Sequence, residues 1–154
     1  MSTAASPIAV QPPHLGVVGG TVAAVGREIV FPEGLPGFAG RRAFRLAPEP
    51  AGAGRFLRLE ATCADSIAFL VVPVEPGPAT LAPADIEEVV AERAIAPEDL
   101  LLLVVVAARP VGANIEASVN LRAPIFVDVA RALAWQIVLR NPSYPLRLPL
   151  NRVS

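Results

Sequence analysis

The sequence predicts a small all-β domain, mainly antiparallel and either barrel-like or a sandwich, with one short helix near residues 83–94. Three observations predict it. Clusters of Pro and Gly recur at intervals of roughly ten residues, the spacing of short strands joined by tight connections. Between them lie short runs that either alternate apolar with polar or are wholly apolar, the marks of half-buried and fully buried strands. A helical period occurs in one segment only, whereas a parallel sheet needs repeated crossover helices. A chain of 154 residues fits one domain. The expected layout is a flexible lead-in over 1–20, a single β domain over 21–150 and a short tail over 151–154.

The first strand is expected from Thr21 to Phe31, where TVAAVGREIVF is rich in β-branched residues. It must stop at Pro32, because two prolines and two glycines in PEGLPGF (Pro32 to Phe38) forbid continued strand or helix. Arg42 to Leu46 then alternates polar and apolar, as a strand with one buried face does. The Pro- and Gly-rich loop from Pro48 to Gly54 separates it from Arg55 to Glu60, whose alternation is imperfect. Ile67 to Val74 is almost wholly apolar and reads as a buried strand.

The helix follows. Ile86, Val89 and Val90 recur at helical spacing while Glu87, Glu88 and Glu92 point away. Pro83 suits a first turn and Pro97 bars continuation. Leu100 to Ala107 is the most apolar strand. Asn114 to Leu121 alternates strictly, Ile125 to Val129 follows Pro124, and Trp135 to Leu139 follows a turn near Arg131 and Ala132. The proline-rich end, NPSYPLRLPLNRVS, is expected to lie extended along the surface. This makes seven or eight strands and no internal repeat.

Composition narrows the function classes. Apolar residues form 53% of the chain, which argues against disorder throughout. Thirteen basic residues, all Arg, face fourteen acids, so no global field draws in nucleic acid or anionic membrane. Without Lys there is no Schiff base and no phosphate-binding P-loop lysine. The longest apolar run, Leu100 to Ala108, is about half the roughly 20 residues that a membrane-spanning helix needs. Absence of a basic, continuously apolar leader and a single Cys63 point to a reducing, cytoplasmic setting.

No catalytic, cofactor or metal site is expected. His14, the sole histidine, lies in the Pro-rich lead-in, where nothing fixes it against a proton donor. One His and one Cys fall short of a zinc constellation. Asp65 close to Cys63 raises a thiol pKa rather than activating it, and Cys63 reads as filler. Charge is patterned, however. Glu75 to Asp99 holds seven acids against one base, a local charge of −6. Such a stretch is either a solvated helix face or a docking surface for a basic partner. From Arg131 onward the chain carries Arg131, Arg140, Arg147 and Arg152 and no acid, with Trp135 and Tyr144 interleaved. Contact with single-stranded RNA is one reading of that end. Four arginines so widely spaced, with Trp135 in a strand pattern, make direct nucleic-acid binding the weaker one.

Four segments in order resemble one family. IVFPEGLPGF (Ile29 to Phe38) looks like a family opening signature, and IAFLVVPV (Ile67 to Val74) like its central strand. VNLRAPIFVDV (Val119 to Val129) and WQIVLRNPSYPLRLPL (Trp135 to Leu150) are similar to its later segments. The family is the flagellar assembly factor FliW. The resemblance implies a cytoplasmic, non-enzymatic, compact β-barrel-like protein without cofactor or small-molecule substrate. It implies binding to flagellin and to the RNA-binding translational regulator CsrA, which relieves repression of flagellin translation. It leaves open a flagellin-binding chaperone without CsrA antagonism. Candidate contact residues are Glu33, Leu35 and Phe38 in the turn, Glu87, Glu88 and Glu92 on the helix, and Asn120, Tyr144 and Arg147. Glu33 and Leu35 are expected to be exposed, Asn120 more readily satisfies a neighbouring backbone group, and Tyr144 and Arg147 are placed on the surface segment.

Overall fold

The computed structural model describes residues 24–36, 41–49, 56–62, 67–77 and 80–150. The lead-in, His14, Phe38, Cys63 and the last four residues, on which several expectations rest, lie outside the described residues. Nine strands and one α-helix are formed among those described: β1 (Glu28–Val30), β2 (Ala43–Pro48), β3 (Leu57–Ala61), β4 (Ala68–Val74), α1 (Pro83–Arg93), β5 (Leu100–Val111), β6 (Asn114–Val119), β7 (Ile125–Asp128), β8 (Leu133–Gln136) and β9 (Leu148–Pro149). The all-β expectation with one short helix holds.

Strand β5 organises the sheet because of its length. Its twelve residues extend about 40 Å at ~3.3 Å per residue, enough to serve two partners in succession along one edge. One edge pairs with β4, from Val106 against Leu70 to Leu102 against Val74. On the other edge, Leu100 to Leu103 pairs with β7, and Val106 to Val111 pairs with β6. From β4 the order runs β3, β2, β1, β8, β7 and back to β5, so the hydrogen-bonded strands close into a ring. All these pairings are antiparallel except β1 with β8, which meet in parallel through Val30 and Leu133. The far half of β5 and all of β6 leave the ring as a hairpin, and β9 adds to β6.

Closure explains why several strands read as continuous apolar runs. Successive side chains point to opposite faces, and here both faces are covered. Leu101 and Leu103 of β5, Ile125 and Val127 of β7 and Val71 of β4 point into the ring. Phe31 packs edge-on against Phe44 there, with ring centroids 5.3 Å apart. Leu102, Val104, Val72, Val74 and Phe126 point outward and are covered by α1 and the C-terminal segment. Each packed aliphatic side chain contributes about 1.5–3 kcal/mol of transfer free energy.

Helix α1 forms where the period predicted, with Ile86, Val89 and Val90 buried. Pro83 opens it at the position where a missing N–H costs nothing. It ends on Ala94 in a left-handed conformation (φ 56°), with the Ile95 N–H donating back to the Val90 carbonyl and the Ile95 side chain buried beside it.

Four boundaries differ from expectation, each for a local reason. Of the strand expected over Thr21 to Phe31, residues 21–23 lie outside the described residues, and from Ala24 onward strand is formed over Glu28–Val30, because Gly26 adopts φ 86° and turns the chain after the isolated bridge of Val25 to Leu46. The uneven pattern of Arg55 to Glu60 resolves into a strand starting at Leu57, with Leu57 and Leu59 inside the ring and Phe56 packed on the outer cluster. The last long strand lies at Leu133–Gln136 rather than Trp135 to Leu139, since Ala132 takes the left-handed turn position (φ 57°) and pairing with β7 begins at once. β5 runs on to Val111 through Pro110. Alternation along the β5–β6 ladder, in which the Asn120 N–H donates to the Val105 carbonyl, places the backbone nitrogen of Pro110 away from β6, on an edge that no described strand pairs at that position, where proline is tolerated.

Candidate functional site

The expected contact residues fall into two surfaces and a buried set. The first surface is the outward side of α1. Glu87, Glu88 and Glu92 are exposed on it, opposite the buried Ile86, Val89 and Val90. Arg93, the base within this acidic stretch, turns away from it. Its guanidinium donates to Glu33 at 2.7 Å and lies 5.4 Å from the Trp135 ring centroid. Glu33, exposed as expected, is thereby fixed to the end of α1.

The turn that carries Glu33 is set by its sequence. The Gly34 N–H donates to the Phe31 carbonyl at 2.9 Å, closing a turn with Pro at the second position and Gly at the fourth. The Arg42 guanidinium donates to the Pro32 carbonyl and braces it. Leu35 departs from expectation. It is buried at 6% exposure within the ring cluster, because the turn folds its apolar side chain back under β1. Leu35 is core, not contact.

Tyr144 is corrected likewise. It is buried (7% exposed) beneath the C-terminal segment. Its hydroxyl donates to Asp85 Oδ2 at 2.5 Å and accepts the Ala82 N–H at 2.9 Å. Ala82 precedes α1 and offers no side-chain cap, so the phenol supplies the polar anchoring that a Ser or Asp cap would otherwise give. Burial, and then the hydrogen bond to Asp85, push the phenol above its ordinary range, while the Ala82 N–H pulls the other way.

The same segment reaches α1 a second time, where Arg140 donates to Glu88 at 3.1 Å. Arg122 holds the segment from below, donating to the Tyr144 and Pro142 carbonyls. Asn120 takes the local role expected of it, its Oδ1 accepting the Arg122 and Ala123 N–H groups. That oxygen is engaged in a turn rather than presented to a partner.

Arg147 is exposed and lies apart, in a groove of about 530 Å³ on the β5–β6 hairpin with Arg109, Glu116, Ser118 and Pro149. Sequence reasoning passed over this groove, since its two sides come from residues about 40 apart.

It also missed Asp128, which is buried at 2% exposure. Asp128 accepts the Arg131 backbone N–H at 3.1 Å and its Nε at 2.7 Å, and Arg131 in turn donates to the Arg93 and Ala94 carbonyls at the end of α1. Arg131 lies 5.9 Å from the Trp135 ring centroid. The i,i+3 spacing of Asp128 and Arg131 at a strand end was the available signal.

Among the described residues no group of three or more His, Cys, Asp or Glu is placed to hold a metal ion, and no helix is long and apolar enough to cross a membrane.

Comparison with known proteins adds three findings. The sequence model of a family described as FliW protein matches residues 12–150. A flagellar assembly factor FliW from Geotalea uraniireducens (strain Rf4) is 35% identical over 132 residues, covering 84% of this chain and 77% of that protein. A crystal structure of the flagellar assembly factor FliW superimposes with a TM-score of 0.62 at 24% identity, covering 80% of this chain and 84% of that one, a likeness of fold.

Proposed function

The chain belongs to the FliW family of flagellar assembly factors, and on that premise we propose that it is a non-enzymatic cytoplasmic regulator that binds flagellin and the translational regulator CsrA. The family membership supports a role in flagellar assembly, and the observation that carries the CsrA half is the outward face of α1. Glu87, Glu88 and Glu92 are exposed together there, while Arg93 is drawn off by Glu33 and the Trp135 ring. Arg140 meets Glu88 at 3.1 Å with both side chains exposed, a pair that is readily exchanged. The face therefore keeps a net negative charge that steers a basic partner, and an RNA-binding regulator is basic where it meets RNA.

The logic is linkage. Flagellin accumulating before export occupies this protein and leaves CsrA free to repress flagellin translation. Export frees the protein, which then sequesters CsrA.

Reversing the face tests this reading. Pull-down from a motile host is expected to enrich flagellin and CsrA with the native chain. With Glu87→Lys, Glu88→Lys and Glu92→Lys combined, CsrA recovery is expected to fall at least about tenfold, a loss of ~1.4 kcal/mol. All three positions are exposed, so circular dichroism is expected to be unchanged. Undiminished CsrA capture by the reversed variant counts against the helix as the docking face. Enrichment of neither protein by the native chain counts against the function.

A further inference from the structure

The β5–β6 hairpin projects from the ring, and its groove face carries Ala107, Arg109, Glu116 and Ser118, with Arg147 and Pro149 alongside from the C-terminal segment. Three features of it point the same way. The first is an unspent cation. Arg147 makes no hydrogen bond, ion pair or ring contact among the described residues. The second is a loose one. Arg109 meets Glu116 at 3.4 Å with side chains 69% and 59% exposed, a pairing that contributes little and is readily exchanged. The groove's lining therefore carries two guanidinium groups against one carboxylate.

The third feature concerns direction of approach. Among the described residues the sheet around the groove has two unpaired edges, and a proline stands on each. Pro110 pairs with Ile115 and Pro149 with Ser118, and both put their nitrogen on the outer side of the ladder, as the bonds from Asn120 to Val105 and from Leu150 to Ala117 show. An incoming strand would find no N–H at either position. Each edge thus lacks one ladder donor, which disfavours strand addition there and favours approach across the face.

We infer that this groove docks an extended acidic segment of a partner protein across its face, with Arg147 and Arg109 engaging the carboxylates. Guanidinium groups present a planar fork that matches a carboxylate with two parallel hydrogen bonds. Nucleic acid fits the groove less well: no aromatic ring lines it for bases to stack on, and Glu116 repels phosphate. The inference goes beyond the flagellin and CsrA reading, which rests on α1, and stands or falls independently of it.

The test is fluorescence anisotropy of a fluorescein-labelled peptide of alternating Glu and Val, beside its Gln-and-Val counterpart and a labelled oligouridine. The Glu peptide is expected to bind and to weaken as salt rises. Arg147→Glu is expected to weaken it at least about tenfold. Amide chemical shifts of the native chain on adding the peptide are expected to move over 107–109, at 111 and over 114–118. Equal binding of the Gln peptide, indifference to Arg147→Glu, shifts confined to other strands, or displacement of the peptide by oligouridine each overturns the inference. So does absence of binding.

Discussion

The Tyr144 hydroxyl accepts the Ala82 N–H and donates to Asp85, so removing that one oxygen has two separable consequences. Tyr144→Phe leaves a helix-start donor and a carboxylate without their partner and is expected to cost about 1–3 kcal/mol in denaturant melts. The second consequence appears at high pH. A phenol whose pKa is raised in the folded state adds stability that is complete below its unfolded value and is lost as pH rises through the folded one. The native protein is therefore expected to lose stability from about pH 10 upward, and Tyr144→Phe to flatten that part of the decline. A decline of equal steepness in the variant contradicts the assignment. Leu35 gives a contrast at the same scale. Leu35→Ala is expected to cost about 2–5 kcal/mol because the ring interior closes around it, whereas Glu33→Gln, at an exposed position, is expected to change stability by less than about 1 kcal/mol.

Helix α1 was legible because its three buried residues and its proline start obey one period, and β5 because both its faces are covered in the ring. The hidden parts depended on what lies across the chain. Tyr144 sits among prolines that mark a surface path, yet it turns inward because Ala82 has no cap of its own. Leu35 stands in a turn whose prolines and glycines say nothing about which side chain folds under. The strand predicted over Leu100 to Ala107 stopped short of Pro110, since no local signal shows that this proline's nitrogen faces away from the β6 ladder. The two left-handed alanines, Ala94 and Ala132, were equally silent, because glycine or asparagine is the usual mark of such positions. They carry a prediction for the elements they terminate. Ala94→Gly is expected to stabilise the protein by about 0.5–1 kcal/mol, relief of the left-handed penalty outweighing the added freedom of the unfolded chain. A lower melting temperature for Ala94→Gly contradicts that balance.

Across the whole molecule, a net charge of −1 conceals two surfaces of opposite character. The outward face of α1 is acidic, and the groove of the projecting hairpin is lined by Arg109 and Arg147 against Glu116. The closed ring gives both a rigid support, and the C-terminal segment joins them, tied to α1 through Tyr144 and Arg140 and continuing to Arg147. A protein built this way is suited to hold partners on its exterior. Its proposed regulatory role requires that occupancy by flagellin govern occupancy by CsrA. Isothermal titration of purified CsrA into the protein, alone and then saturated with flagellin, measures that dependence directly. The account predicts saturable binding to the free protein and at least about tenfold weaker binding once flagellin is present. CsrA binding that is undetectable to the free protein, or unaffected by flagellin, contradicts it.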